Sequence, residues 1–299
     1  MPDTVDDAAR WVKVARSFAE GLPDADGATR RRHAVRELAD YGLTTLLGPA
    51  RHGGAEQSWT VAHAVVRAVA GVDAEIAELL GRHYVWYWIA EFIGTDEKID
   101  HIGEVSTRAR WFYSGATDPQ AAELIVTDGG EVMLFDGRVT AAVGADVSTM
   151  TILQGVRPDV ATPISALAYT SHTGIRVSGG HGALIDVTAA DIPWTGALGH
   201  VDKDFVPRPY NGLLVPTLDL VLLDIALATR TTDDDATTAA ARLAGHVIEH
   251  AQRLHDQRRS VTDADVRAQV ALVSGLAATV SALPGALPDP AAVLGGGRR

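Results

Sequence analysis

His83 combines the residue type and the setting best suited to chemistry in this sequence. It lies directly before the run 84–93, which is apolar on nearly every side and rich in tryptophan and tyrosine. Such a segment should be enclosed by other elements, and histidine is the side chain best suited to proton transfer near neutral pH. A buried histidine that merely satisfies a hydrogen bond is the alternative. We therefore predict a chemical role for His83, and the alternative is a purely structural role in the core.

A second pattern, His246-x-x-Glu249-His250, has the spacing of the inverted zinc peptidases. Histidines four residues apart share one face of a helix and can bind zinc together. However, the rest of the chain offers no obvious third-ligand block. Cysteine is absent, which excludes disulfides, thiolate metal sites and a cysteine nucleophile. We therefore predict that the protein holds no metal.

The composition restricts the partners. The 299 residues include 26 basic and 38 acidic side chains, for a net charge of −12, and are 46% hydrophobic. This charge repels a nucleic-acid backbone and an anionic membrane surface, and the sequence suggests neither a membrane span nor a secretion signal. We expect a globular protein of the cytosol that binds neither nucleic acid nor a membrane.

The elements around His83 follow from apolar spacing. Residues 5–21 and 28–41 have the pattern of two helices, and apolar residues at steps of three or four predict a helix over 61–80. The all-round apolar run 84–93 predicts a separate core helix that ends at Gly94. A further helix is expected over 96–109, with Thr95 as its cap.

The spacing changes after Trp111. From there to Trp194 the sequence has short β-type runs separated by glycine, proline and aspartate, and Asp128-Gly129 is typical of a hairpin turn. Helical spacing returns over 213–228, 237–258 and 262–282, which predicts three antiparallel helices. We therefore predict a mainly helical α+β protein with a middle antiparallel β-domain and a C-terminal helical bundle.

Several motifs resemble one known family. Pro49-x-x-x-Gly53-Gly54-Ala55 precedes a long helix, a Leu-Leu-Gly-x-His block ends at His83, and Glu91-x-Ile93-Gly94-Thr95 follows. This order resembles the acyl-CoA dehydrogenase superfamily, and most closely its flavin-dependent monooxygenase branch, which includes the dibenzothiophene monooxygenases. The resemblance implies an N-terminal helical domain (1–110), a β-domain (111–198) and a C-terminal bundle (199–299), incomplete here. It also implies a homodimer or tetramer.

The resemblance also implies a site. In the monooxygenase branch, a histidine at the position of His83 faces the flavin, so His83 is the expected catalytic residue. FAD or FMN would lie between the β-domain and the C-terminal helices. Its expected contacts come from the loop that enters the β-domain and from a later Gly-x-Arg segment: Tyr113, Ser114, Gly115, Thr117 and Arg176.

The sequence also departs from the family pattern. Ala116 and Val143 stand where the monooxygenases tend to have an asparagine and a serine, and 136–138 lacks the usual lysine. Acidic residues follow Arg230 where relatives contact the cofactor phosphate. The resemblance thus favours a flavin-dependent oxidoreductase or monooxygenase acting on a small organic or acyl-thioester substrate. The alternative is a flavin-free member, either a non-redox cyclase or isomerase or a partner subunit of a full-length relative.

Overall fold

The N-terminal part of the protein is helical. The structure, a computed structural model, describes residues 5–119, 123–159, 162–178, 183–230 and 234–283. Side-chain oxygens of Asp26, Ser58, Asp73 and Thr95 accept hydrogen bonds from backbone N–H groups three residues later and so begin four of the helices. The N-terminal helices are α1 (Val5–Glu20), α2 (Gly27–Asp40), α3 (Trp59–Ala70), α4 (Ala74–Tyr87), α5 (Ile89–Ile93) and α6 (Asp96–Ala109).

The helices around His83 have other boundaries than the sequence predicted. The helices expected over 61–80 and 84–93 are instead α3, α4 and α5. The chain leaves α3 at Gly71, and Asp73 starts α4 by accepting a hydrogen bond from the Ile76 N–H (3.1 Å). Helix α4 then runs through Gly81 without a break. A Cβ at Gly81 would lie 2.5 Å from a methyl group of Val221, so glycine lets the helix pack closely there.

The middle of the chain forms a curled sheet. Its order is β6-β7-β3-β2-β4-β5-β8, with β1 added to β4, and β9 and β10 form a separate hairpin. The strands are β1 (Tyr113–Ser114), β2 (Leu124–Asp128), β3 (Val132–Thr140), β4 (Met150–Arg157), β5 (Thr162–Tyr169), β6 (Ile175–Ser178), β7 (Leu184–Pro193), β8 (Ala197–Leu198), β9 (His200–Val201) and β10 (Asp204–Phe205).

The sheet is mixed, whereas the sequence predicted an antiparallel one. The hairpin at Asp128-Gly129 is confirmed, since β2 and β3 pair antiparallel and the Asp128 carboxylate accepts a hydrogen bond from the Gly130 N–H (2.9 Å). However, β1 and β2 both pair parallel to β4. The connection 141–149 carries the chain from β3 across to the far side of β2, which a tight hairpin cannot do.

The three predicted C-terminal helices are confirmed. They are α7 (Leu214–Ala228), α8 (Asp235–Asp256) and α9 (Asp263–Ser281). Thr262 and Asp265 form a capping box that starts α9. Residues 284–299 lie outside the described part of the chain. The division at 110 and 198 stays a prediction. The buried apolar side chains form three clusters: one joins the N-terminal helices to α7, one lies in the sheet and one in the C-terminal bundle.

Helix α7 is the central element of the helical part. Within the described residues, Pro209–Ala228 is the one helix apolar and long enough to cross a membrane, with a mean hydropathy of 1.7. In the fold, however, 72% of its most apolar window is buried, as is typical of a core helix. Its Asp224 binds His63 and Arg67 of α3 and so fixes α7 against the N-terminal helices.

Candidate functional site

The His83 side chain is fully buried and contacts the rings of Tyr84, Tyr87, Phe112 and Tyr113. We call these five residues the His83 cluster. Its Nδ1 accepts a hydrogen bond from the Tyr113 N–H (3.0 Å). Because Nδ1 is the acceptor, the proton of the neutral ring is on Nε2, which donates to the Thr44 carbonyl (2.9 Å). His83 therefore joins α4 to β1 and to the turn at 43–45.

The surroundings of His83 favour the neutral imidazole. Its ring stacks on Phe112 at a centroid distance of 4.4 Å and an interplanar angle of 14°, and burial lowers the pKa of His83 to about 4. Both nitrogens already have backbone partners, so neither is free to exchange a proton with a ligand in this conformation. The catalytic role of His83 stays a prediction, while its contacts are those of a positioning residue.

Tyr113 and Ser114 differ in their hydrogen bonding. The Tyr113 hydroxyl lies 2.5 Å from Ser106 Oγ, and burial raises the pKa of this phenol. Ser114 is equally buried, but its hydroxyl has no hydrogen-bond partner. In the parallel ladder Ser114 pairs with Thr151, whose buried hydroxyl also lacks a partner. Two unpaired hydroxyls thus lie on neighbouring strands, and such groups call for a ligand or a water.

Gly115 lies against the indole of Trp86. A Cβ at this position would be 2.7 Å from the ring, which is fully buried and whose Nε1 has no hydrogen-bond partner. The small residue permits a close approach, but the approaching group is a side chain of the protein itself and not the flavin that the resemblance implies. The space beside Gly115 is therefore filled in this conformation.

Thr117 and Arg176, which were also expected at the site, lie in different parts of the fold. The Thr117 carbonyl accepts a hydrogen bond from Arg82 (3.2 Å), and its N–H donates to Thr140 (2.9 Å). Arg176 is exposed on the edge strand β6, and the strands β7, β3 and β2 separate β6 from β4. The structure thus brings His83, Tyr113, Ser114 and Gly115 together and leaves Arg176 apart.

A crevice of about 180 Å³ opens between the sheet and the start of α7. The Gln154 side chain donates a hydrogen bond to the Pro119 carbonyl (2.7 Å), while its own carbonyl oxygen is buried without a partner. The segment 113–119 leads from the His83 cluster to this crevice, so Pro119 is the residue of the predicted loop that reaches it. Lining residues include Pro119, Gln154, Ser165, Leu198, Asn211 and Val215.

The residues of the pattern His246-x-x-Glu249-His250 are not arranged around a common metal position. The side chain of His246 is 80% exposed beside Glu249, while His250 Nδ1 lies 2.7 Å from the Gln269 amide oxygen. In the described ranges, no group of three or more histidine, aspartate or glutamate side chains is arranged to hold a metal ion. The acidic residues after Arg230 include Asp234, which caps α8 by accepting a hydrogen bond from the Thr237 N–H (2.7 Å).

Sequence reasoning missed Gln154 and Trp86. Gln154 lies in a strand that is buried along most of its length, where a glutamine is unusual. This residue type in an otherwise apolar run was the available signal. Trp86 had no such signal, because its contact with Gly115 depends on how α4 packs against β1.

No family model matches the sequence. Curated proteins similar to it in sequence include flavin-dependent and dibenzothiophene monooxygenases. A probable FMNH2-dependent monooxygenase, SfnC, from Pseudomonas putida is 29% identical over 145 residues, which cover 48% of this chain and 37% of that protein. A dibenzothiophene monooxygenase from Rhodococcus erythropolis is 29% identical over 181 residues, which cover 55% of this chain and 43% of that protein. The chain spans less than half the length of these relatives.

The fold is also found in solved structures. Methanesulfinate monooxygenase MsuC from Pseudomonas fluorescens superposes with a TM-score of 0.78 at 18% identity. The match covers 91% of this chain and 83% of that chain. At this identity the likeness concerns the fold.

Proposed function

We propose that this chain, which has the acyl-CoA dehydrogenase fold and resembles the flavin-dependent monooxygenases of that superfamily, is a flavin-dependent oxidoreductase or monooxygenase. Its substrate would be a small organic molecule or an acyl thioester. The observation that carries the proposal is the sequence similarity to an FMNH2-dependent and a dibenzothiophene monooxygenase. FMN or FAD would supply the redox chemistry when bound.

The crevice between the sheet and α7 is the place best fitted to a flavin. The unpaired carbonyl oxygen of Gln154 could accept a hydrogen bond from a ring N–H, and apolar Leu198 and Val215 could contact the ring. The volume of about 180 Å³ is below the roughly 300–1,000 Å³ of typical cofactor sites. The crevice would therefore enclose only part of the cofactor unless it widens.

His83 would act on this site through the backbone. By holding the Tyr113 N–H, it fixes the start of the segment that ends at Pro119 in the crevice. Its buried neutral ring would keep that segment in place without exchanging protons. The contacts predicted for Ser114, Gly115 and Thr117 would then form only if Trp86 moved away from Gly115.

A flavin titration tests the proposal. We expect the fluorescence of FMN or FAD to change in a saturable way when purified protein is added, because the bound ring leaves water for the interior of the protein. Replacing Gln154 by Leu should weaken binding about fivefold, which is the loss expected for one hydrogen bond. The matched control is Gln257→Leu, which is exposed at the end of α8 outside the crevice and should leave flavin affinity unchanged. Absence of binding at several hundred micromolar flavin would reject the proposal.

A flavin-free function is the second candidate. The observation that favours it is the indole of Trp86 in the space beside Gly115, together with the occupied nitrogens of His83. Such a chain would be a non-redox cyclase or isomerase, or a partner subunit of a full-length relative. It would bind neither FMN nor FAD. Light scattering after size exclusion, alone and with a full-length relative, would distinguish a homodimer or tetramer from a mixed assembly.

A further inference from the structure

A second cavity, of about 590 Å³, lies between α3, α5 and α8. It is separate from the crevice at the sheet. Tyr210 contacts the lining residue His255 and stacks on Phe92 (centroid distance 5.7 Å), and Asn211, which follows Tyr210, lines the crevice. The residues that matter for its chemistry are Gln57, Trp59, Trp88, Glu91, His255 and Arg258.

Two buried ring nitrogens in this cavity have no partner. Trp59 is 2% exposed and His255 is 7% exposed, and neither Trp59 Nε1 nor His255 Nε2 makes a hydrogen bond within the described part of the chain. The two rings stack at a centroid distance of 5.4 Å and an interplanar angle of 28°. An unmet polar atom in a buried site costs about 1–3 kcal/mol, so two of them on stacked rings that line one cavity indicate a missing ligand.

The hydrogen bonds of Tyr210 define the state of His255. The Trp88 indole N–H donates to the Tyr210 oxygen (3.4 Å), and the Tyr210 hydroxyl lies 2.7 Å from His255 Nδ1. Burial raises the pKa of Tyr210, so the phenol keeps its proton and can donate it to Nδ1. Burial also lowers the pKa of His255 to about 3. The ring is therefore neutral, and with Tyr210 as the donor to Nδ1 its proton is on Nε2, which is then a donor.

The remaining polar groups define the charge of the ligand. The Gln57 side chain donates to the Ala55 carbonyl, but its own carbonyl oxygen is buried without a partner. Arg258 is paired with Glu91. The other two carboxylates of the cavity, Glu56 and Asp256, accept hydrogen bonds from Ala50 and Gln252. Because negative charge is in excess, an anion is disfavoured, and the two N–H donors disfavour a cation.

We propose that this cavity binds an uncharged, flat heteroaromatic molecule whose edge carries a carbonyl oxygen beside an N–H group. The carbonyl accepts from Trp59 Nε1 and His255 Nε2, the N–H donates to the Gln57 carbonyl, and the ring contacts the indole of Trp88. This is a ligand site outside the crevice, and it does not require that flavin binds.

The test uses 2-quinolone, a bicyclic lactam with this edge, titrated into flavin-free protein by calorimetry. Naphthalene has the same shape without the polar edge, and 2-naphthoate adds a negative charge. We expect 2-quinolone to bind at least about tenfold more tightly than either, because two or three neutral hydrogen bonds distinguish it. Equal affinity for naphthalene, or no binding of 2-quinolone at millimolar concentration, overturns the proposal.

Two variants locate the bound probe. His255→Phe keeps a ring to stack on Trp59 but removes Nε2, and Trp59→Phe removes Nε1. Each should weaken 2-quinolone binding about fivefold to tenfold. If His255→Phe fails to fold, Trp59→Phe still provides the measurement.

His246→Ala is the matched control on the same helix, because His246 is exposed and the substitution should leave the affinity unchanged. In the unaltered protein the Nε2–H proton signal of His255 should shift on titration. Affinity that is unchanged in Trp59→Phe, or an Nε2–H signal that does not move, contradicts the site.

Discussion

Replacing His83 by Ala separates a positioning role from a catalytic one. The substitution leaves the Tyr113 N–H and the Thr44 carbonyl without their buried partner. Each unpaired group costs about 1–3 kcal/mol, and loss of the ring stacked on Phe112 adds a cavity. We therefore expect the free energy of unfolding to fall by about 3–5 kcal/mol.

Urea unfolding followed by circular dichroism measures this loss. The control is His101→Ala, on the exposed side of α6, which should change the stability by less than about 0.5 kcal/mol. A loss below about 1 kcal/mol for His83→Ala would refute the positioning role. If turnover then disappeared while the protein stayed folded, His83 would be catalytic, as its residue type first suggested.

Two further predictions concern packing and pH. Gly115→Ala should destabilise the protein by about 1–3 kcal/mol, since its Cβ would lie 2.7 Å from Trp86. Gly245→Ala, in α8 with no atom near the new Cβ, should stabilise it by about 0.5–1 kcal/mol. Equal unfolding midpoints for the two variants would show that the space beside Gly115 is open. Because folding lowers the pKa of His83 to about 4 and of His255 to about 3, the folded state binds fewer protons. The stabilisation is therefore complete above pH 6.5 and is lost as the pH falls, by about 2–3 kcal/mol per histidine at pH 4.5. Urea midpoints at pH 7 and 4.5 check this, and His83→Ala should reduce the difference; an unchanged difference would contradict the buried neutral ring.

Most of the helices could be predicted from local sequence patterns. The helix at Asp96–Ala109 was predicted from Thr95 as its cap, and the structure confirms both the cap and the bounds. The break between α3 and α4 was missed because the apolar spacing continues across it, while the cap at Asp73 decides the boundary. The parallel pairing of β2 with β4 was also missed. Alternating side chains indicate a strand but contain no information on the direction of its neighbour.

The contacts of the candidate site could be predicted from the sequence only in small part. The partners of His83 are backbone groups 39 and 30 residues away, and backbone groups leave no residue pattern. His255 did have a signal. It follows Ala251 by four residues on the buried face of α8, where a histidine must find a partner or a ligand. Its neighbour Trp59 comes from a distant helix, so only the fold brings the two rings together.

A crystal structure of the protein grown with FMN tests the central claim most directly. The flavin account predicts ring density in the crevice between the sheet and α7, within hydrogen-bond distance of the Gln154 carbonyl oxygen. Density beside Gly115, with Trp86 displaced, would instead place the cofactor against the loop residues that the resemblance implies. An empty crevice and an unmoved Trp86 at saturating FMN would contradict the flavin account.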